Sequence, residues 1–122
     1  MRKRTVIVGA SENPSSYAYL AANNLKSKDH EIIPVSIHGG SVFGERFLDL
    51  NSRPIIADVD TVTLYINPYH QEEWEEYILS LRPKRIIFNP GTENYSLQAK
   101  AEKLDIETVF GCTLVMLNTG QY

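Results

Sequence analysis

Short apolar runs alternate along this chain with longer segments in which apolar residues recur at helical spacing. This alternation is typical of βαβ units, in which buried parallel strands are joined by helices that cover the sheet. It predicts an α/β fold with five main strands. Residues 112–117 fit a strand or a helix, and we favour a helix. The other predicted elements are strands at residues 5–8, 32–35, 61–66, 85–88 and 107–110, and helices at residues 18–28, 71–81 and 96–104, the last with Ser96 as its N-cap.

Residues 36–60 fit neither pattern, since they contain three glycines and Pro54 and no convincing helix. Connections of this length are usually functional. A short edge strand within residues 42–47 would fit. If the chain then crosses past the first strand, the main strands lie in the order 2-1-3-4-5 of a three-layer Rossmann-like domain with a five-stranded, mainly parallel sheet. Ligands of such sheets bind beyond the carboxyl ends of the strands, at the switch point between strands one and three.

The composition suits a single domain over residues 1–122. With 43% hydrophobic residues the chain can bury a core, and no apolar run approaches the roughly 18 residues of a membrane span. The net charge of -3 argues against nonspecific nucleic-acid binding, which needs clustered Lys and Arg. Cys112 is the only cysteine, which agrees with a reducing compartment. We therefore expect a cytoplasmic protein that binds neither membranes nor nucleic acid.

The first predicted turn joins a buried strand to a helix, as in many anion sites. Backbone N–H groups and the positive end of the helix meet at such a turn. No Lys or Arg occurs between Arg4 and Lys26, so an anion would contact backbone N–H groups and serine hydroxyls. A purely structural turn with Gly9 for tight packing explains the pattern equally well. The candidate binding residues of this turn are Gly9, Ala10, Ser11, Pro14, Ser16 and Tyr17.

A phosphate loop after the first strand also begins NAD-binding domains, but the match to their fingerprint is poor. Gly9 is the single glycine of this loop, where the fingerprint has three. The second strand runs into residues 35–38 without the acidic residue that binds a ribose diol. An NAD(P)-linked enzyme is therefore an alternative and not the leading hypothesis.

Two further turns follow the third and fourth strands and place polar residues beside proline. They should reach the same edge of the sheet as the first turn, where a rigid scaffold positions ligand contacts. They also fit ordinary βα turns, with Thr92 or Asn94 capping the next helix. The candidate binding residues of these turns are Asn67, Pro68, Asn89, Pro90, Gly91, Thr92 and Glu93.

No group of residues predicts catalysis or metal binding. Glu93 has no histidine or second carboxylate close in sequence with which to form an acid–base pair. His30, His38 and His70 are scattered without metal-ligand spacing. Cys112 has no local partner that would activate its thiol. We expect neither a metal site nor independent catalytic activity.

Several segments are weak signals alone but fairly specific in their order and spacing. They are residues 8–11 with Pro14 and Tyr17, and residues 30–35, 59–65, 83–94 and 111–117. In this order they resemble the small stand-alone CoA-binding domain proteins, relatives of the CoA-binding domain of succinyl-CoA synthetase. The resemblance implies a Rossmann-like domain that binds coenzyme A, with residues 9–11 near the phosphates and the turns at 67–68 and 89–93 lining the cleft. It implies no reaction, since such short proteins lack the catalytic partner domains of the synthetases.

The chain departs from that family pattern at two basic positions. After Pro14, where family members often carry arginine, it has Ser15. Family members often carry asparagine, proline and then lysine directly after the second strand. In this chain Ser36 stands at the position of the asparagine and His38 at that of the lysine. We include Ser36 and His38 among the candidate binding residues. Because two charge-assisted contacts are missing, we expect CoA to bind at least about a hundredfold more weakly than it binds to a family member with both basic residues.

The leading hypothesis is noncatalytic binding of coenzyme A or an acyl-CoA. One alternative is a different nucleotide-binding protein, including an NAD(P)-linked enzyme. Another is a protein-interaction subunit with a vestigial ligand cleft, whose partner surface would use Tyr69, Trp74 and Tyr77. A protein partner or a homo-oligomer is compatible with these hypotheses.

Overall fold

The computed structural model describes residues 2–122 and places them in a central parallel sheet with helices on both faces. The predicted α/β class and main strands are confirmed. The strands are β1 (Arg4–Val8), β2 (Glu31–Ser36), β3 (Ser41–Val42), β4 (Glu45–Arg46), β5 (Leu48–Asp49), β6 (Thr61–Leu64), β7 (Arg85–Phe88) and β8 (Glu107–Phe110). The helices are α1 (Tyr17–Ser27), α2 (Pro68–Gln71), α3 (Glu75–Ser80), α4 (Tyr95–Lys103) and α5 (Thr113–Asn118).

The main sheet has six strands in the order β5-β2-β1-β6-β7-β8, and every neighbouring pair is parallel. The predicted main strands keep the order 2-1-3-4-5 within it, but the predicted count of five is corrected because β5 adds a sixth strand beside β2. The extra short edge strand predicted around residues 42–47 exists as β5, at Leu48–Asp49, so its predicted position is wrong. Residues 42–47 instead belong mainly to a separate antiparallel hairpin of β3 and β4, since Gly44 takes a φ of 85° and reverses the chain.

The two faces of the sheet pack against different helices. Val6 belongs to the apolar cluster that contains Trp74 beside α3 and Leu97 of α4. Ile7 belongs to the cluster on the other face, which contains residues of α1 and Leu117 of α5. Adjacent residues of β1 join different clusters because side chains alternate across a strand. The two clusters account for the predicted three layers.

Most helix boundaries differ from the prediction by one residue, and two helix starts differ for a reason that the structure shows. The helix predicted to start at residue 71 starts at Pro68, because proline suits the first helical position, and a 3-10 turn at Glu72–Trp74 interrupts it before α3. The predicted N-cap Ser96 is wrong. Asn94 caps α4, since its Oδ1 accepts the N–H of Leu97 at 3.0 Å. The final segment is a helix, as favoured from the sequence.

His30 lies near the amino ends of β1 and β2 in a cluster that includes positive charge. Its Nδ1 accepts the N–H of Lys3 at 2.9 Å, and its ring meets the edge of the Tyr122 ring with 5.0 Å between centroids. The guanidinium of Arg85 also lies over the Tyr122 ring, 4.4 Å from its centroid. The pKa of His30 is lowered below 6.5, mainly because the ring is partly buried and secondly because the charge of Lys3 is close. The folded protein therefore favours the neutral imidazole.

We expect this lowered pKa of His30 to make the protein less stable in mild acid. The contribution is complete above the unfolded pKa of about 6.5 and is lost as the pH falls from there toward the folded pKa. Urea unfolding between about pH 7.5 and 5.5 should therefore show a decline that His30→Asn reduces. The exposed His70 provides the control, since His70→Asn should keep the decline. Identical pH profiles for the wild type and His30→Asn would contradict this expectation.

Candidate functional site

The main cleft lies beyond the carboxyl ends of β1, β2 and β6 and has a volume of about 690 Å³. It is therefore located at the switch point between β1 and β6, where open α/β sheets bind ligands. Residues from the first loop, the end of β2 and the end of β6 line it. Six predicted site residues come together here, namely Gly9, Ala10, Ser11, Ser36, His38 and Asn67.

The backbone of the first loop is tied to β2. The N–H groups of Gly9 and Ala10 both donate to the carbonyl of Val35, at 2.9 and 3.1 Å. These two groups are therefore not available to a ligand. Within residues 2–122, the N–H groups of Ser11 and Glu12 donate to no protein atom. The positions of this loop whose N–H groups can donate to an anion are thus Ser11, which was among the predicted residues, and Glu12, which was not.

The rest of the first loop turns into the start of α1. Ser16 is the N-cap, since its Oγ accepts the N–H of Tyr19 at 3.1 Å and donates to the Asn13 carbonyl at 2.9 Å. Pro14 is exposed, and Tyr17 is 71% exposed. Pro14 and Ser16 line neither the main cleft nor the second cavity described below. Their predicted contact with a ligand stays a prediction.

The opposite wall of the cleft is built around the end of β2. Ser36 is buried, and its Oγ accepts the backbone N–H of His38 at 3.0 Å. His38 itself is exposed. Glu12 reaches across from the first loop, and its Oε2 accepts the N–H of Ser41 at 2.9 Å. The two loops are therefore joined at the rim of the cleft by a carboxylate.

The cleft is poor in positive charge. Its lining includes the carboxylates of Glu12 and Glu73, and no Lys or Arg lines it within residues 2–122. The guanidinium of Arg53 lies over the ring of Trp74, a lining residue, with 4.7 Å from Cζ to the ring centroid. An anionic ligand would therefore depend on backbone N–H groups, hydroxyls and His38.

A second cavity of about 180 Å³ adjoins the main cleft, because Tyr65 lines both. Burial raises the pKa of Tyr65 to about 12, so its phenol stays neutral. Tyr65 was not among the predicted site residues, although its position directly after β6 was an available signal. The second cavity is lined by Tyr17, Tyr65, Asn89, Pro90, Cys112 and Leu114, of which Tyr17, Asn89 and Pro90 were predicted site residues.

Asn89 uses its amide inside the protein. Its Nδ2 donates to Thr63 Oγ1 at 2.7 Å and to the Leu64 carbonyl at 2.9 Å, and its Oδ1 accepts the N–H of Thr113 at 2.9 Å. These bonds connect the ends of β6 and β7 to the start of α5. The buried amide of Asn89 thus supports the site but has its hydrogen-bonding groups already engaged.

The turn after Asn89 closes on itself. The carboxylate of Glu93 accepts the N–H of Gly91 at 2.9 Å, and Thr92 Oγ1 donates to the Asn89 carbonyl at 2.8 Å. Pro68 is at the start of α2. Four predicted site residues line neither cavity, namely Pro68, Gly91, Thr92 and Glu93. These contacts account for the turn residues structurally, and their predicted binding roles stay predictions.

The sequence prediction missed the side of the cleft that the long connection provides. Phe47, Leu50 and Asn51 line the cleft from this connection, together with Ile66 and His70 from the other side. The connection reaches the cleft because β5 pairs with β2 and is followed by the 3-10 turn Leu50–Ser52. No local pattern indicates this path, since it depends on pairing between distant strands.

Within residues 2–122 no three His, Cys, Asp or Glu side chains are grouped in a way that could hold a metal ion. No helix in this part of the chain has the length and apolar character needed to cross a bilayer. The arrangement of the cleft suits binding of a polar ligand by loops on a rigid sheet.

Comparison with known families agrees with this geometry. Residues 3–118 match the family described as the CoA binding domain. The chain belongs to the CoA binding domain family. The resemblance inferred from the sequence is thereby confirmed, and the CoA binding domain match includes every element around the two cavities.

Solved structures share the fold of this CoA binding domain. A crystal structure described as that of an uncharacterized protein is 52% identical, with a TM-score of 0.96 over 100% of this chain and 99% of that chain. A conserved hypothetical protein from Pyrococcus furiosus is 27% identical, with a TM-score of 0.76 over 90% of this chain and 93% of that one. A protein from Thermus thermophilus is 20% identical, with a TM-score of 0.82 over 99% and 91% of the two chains. No curated protein matches the chain.

Proposed function

We propose that this protein binds coenzyme A or an acyl-CoA in the main cleft without catalysing a reaction. The observation that carries the proposal is the position of a cleft of about 690 Å³ at the β1–β6 switch point of a CoA binding domain. Its volume lies in the range of small-molecule and cofactor sites. The N–H groups of Ser11 and Glu12, which are free of protein acceptors within residues 2–122, would meet a phosphate there.

The charge of the cleft supports weak binding. CoA carries a diphosphate and a 3′-phosphate, whereas the lining carries Glu12 and Glu73 and, within residues 2–122, no Lys or Arg. Hydrogen bonds to backbone amides are weaker than charge-assisted bonds to arginine or lysine. We therefore propose a dissociation constant well above that of relatives with basic loops, and one that depends little on direct ion pairing.

Noncatalytic binding is supported by the side chains that line the cleft. The titratable lining residues are Glu12, His38, Tyr65, His70 and Glu73. Glu12 is engaged with the N–H of Ser41, and burial keeps Tyr65 protonated. No hydrogen bond within residues 2–122 joins a lining histidine side chain to a lining carboxylate, which general acid–base pairs usually require.

Replacement of His38 by lysine tests the proposal. CoA should raise the melting temperature of the wild type at millimolar concentration, and His38→Lys should bind CoA about tenfold more tightly because it adds one charge-assisted contact. The measurement is calorimetric titration at low salt, beside a thermal-shift panel of CoA, NAD, NADP, ATP and ADP. Asn23→Lys is the matched control, since it adds the same charge on the exposed side of α1 outside the cleft.

The panel also separates the other hypotheses. Stabilisation by NAD or NADP but not by CoA would replace the proposal with an NAD(P)-linked function. If no nucleotide raises the melting temperature and the protein forms a stable complex with another protein, the interaction-subunit hypothesis is favoured. Equal strengthening by His38→Lys and Asn23→Lys would show that the end of β2 does not contact the ligand.

A further inference from the structure

The second cavity has walls suited to a small apolar group. The ring of Tyr65 and the side chains of Pro90 and Leu114 line it, beside the half-buried thiol of Cys112. The amide of Asn89 contributes little polarity, since Thr63, Leu64 and Thr113 already engage it. An apolar group that enters this cavity would lose contact with water without leaving a polar protein atom unpaired.

The second cavity also has no charge to offer. None of its six lining residues is Lys, Arg, Asp or Glu, and burial keeps the phenol of Tyr65 neutral. A carboxylate placed there would be desolvated without a counter-charge, which is strongly unfavourable. The cavity therefore discriminates between a neutral group and a charged group of the same length.

Tyr65 lines both the second cavity and the main cleft, so the two cavities are neighbours on either side of this residue. The loop that can donate to an anion lies in the main cleft at Ser11, and the same loop leads to Tyr17 at the second cavity. A ligand whose phosphates lie at Ser11 would reach the second cavity by passing Tyr65. The two cavities suit the two ends of one ligand, one anionic and one apolar.

We propose that the second cavity binds the acyl group of a short-chain, uncharged acyl-CoA thioester. This inference rests on the proposed function and specifies its ligand. The volume of about 180 Å³ holds roughly six heavy atoms if each needs about 30 Å³, the share of a water molecule in the liquid. Acyl groups from acetyl, with about three heavy atoms, to pentanoyl, with about six, fit this limit.

A calorimetric series of CoA, acetyl-CoA, butyryl-CoA, hexanoyl-CoA, decanoyl-CoA and succinyl-CoA tests the inference. Affinity should rise by about fourfold for each methylene added from acetyl-CoA to butyryl-CoA and level off by hexanoyl-CoA, because each buried methylene contributes a constant free energy until the cavity is full. Succinyl-CoA should bind at least tenfold more weakly than butyryl-CoA, since its four-carbon chain ends in a carboxylate.

Leu114→Trp should fill the second cavity and remove the preference for acyl-CoA while leaving the affinity for CoA itself unchanged. Val115→Trp is the matched control, because Val115 is the next residue of α5, is 55% exposed and does not line the cavity. If Leu114→Trp fails to fold, Leu114→Ala provides the second test. It enlarges the cavity and should shift the preferred acyl chain to a greater length.

Equal affinities of the wild type for all neutral thioesters and for CoA would overturn the inference and leave the proposed function intact. Binding of succinyl-CoA as tight as that of butyryl-CoA would also overturn it. Loss of the acyl preference in Val115→Trp as well as in Leu114→Trp would place the acyl group elsewhere. No binding of any member of the series would overturn the proposed function, and the inference with it.

Discussion

Gly9→Ala is expected to lower the free energy of unfolding by about 2 to 4 kcal/mol. Gly9 has a φ of 94°, which residues with a side chain rarely adopt. A Cβ at this position would lie 3.0 Å from the carbonyl carbon of Tyr65 and 3.0 Å from Ile66 Cγ1. Since the first of these atoms belongs to the backbone directly after β6, it cannot move aside like the end of a flexible side chain. The cost therefore combines backbone strain with overpacking.

Urea unfolding of two glycine variants separates these two costs. Gly91 has a φ of 92° but nothing within 4 Å of a Cβ, so Gly91→Ala should show the strain alone, about 1 to 2 kcal/mol. The excess destabilisation in Gly9→Ala then measures the close approach of the first loop to β6. Equal losses in the two variants would contradict the role given to Tyr65 and Ile66.

The stability cost makes Gly9 a poor position at which to block the cleft, and Gly39 is better suited. Gly39 lines the cleft, lies outside the left-handed region, and has open space around a Cβ. Gly39→Phe should therefore keep its melting temperature and lose CoA-induced stabilisation. Full retention of CoA binding by a folded Gly39→Phe would show that the ligand does not enter the main cleft.

Asn89→Leu is expected to lower the free energy of unfolding by about 3 to 4 kcal/mol. Leucine has a similar size but cannot accept the N–H of Thr113 or donate to the Leu64 carbonyl and Thr63 Oγ1. All of these groups lie around a side chain that is only 3% exposed. Each buried polar group left without a partner costs about 1 to 3 kcal/mol, because water does not replace the lost bond.

Asn67→Ala is the matched control for Asn89→Leu, and urea unfolding is again the measurement. Asn67 also precedes a proline after a strand, but it is exposed and makes no side-chain capping bond. Its replacement should change stability by less than about 0.5 kcal/mol. If the free energy of unfolding of Asn89→Leu lies within about 1 kcal/mol of the wild-type value, the connecting role of Asn89 is wrong.

The contrast between Asn67 and Asn89 shows where local sequence patterns stop being informative. Both asparagines begin Asn-Pro turns after a strand, and the sequence assigned both to the ligand site. In the structure Asn67 lines the main cleft without a side-chain capping bond, whereas Asn89 lines the second cavity with its amide already bonded to β6 and α5. The difference comes from the neighbours that the sheet order brings to each turn, which no short pattern contains.

The edge of the sheet shows the same limit. The strands at residues 85–88 and 107–110 could be predicted because each is a local apolar run, but β5 has only Leu48 and Asp49 and depends on its pairing with β2. The predicted edge strand at 42–47 failed because Gly44 turns the chain within it. Leu50 lines the cleft directly after β5, and the prediction missed it because the position of β5 depends on pairing with the distant strand β2.

The α/β class, the main strands and the position of the loop after β1 follow from the sequence alone, because apolar periodicity and turn residues are local properties. The absence of a basic side chain from this loop is also evident there. The tertiary structure was needed to show that the N–H groups of Gly9 and Ala10 are bonded to Val35, that Ser11 and Glu12 donate to no protein atom within residues 2–122, and that Tyr65 lines two cavities. The physical reason is that a polar group can face a ligand only if no distant part of the chain has already bonded to it.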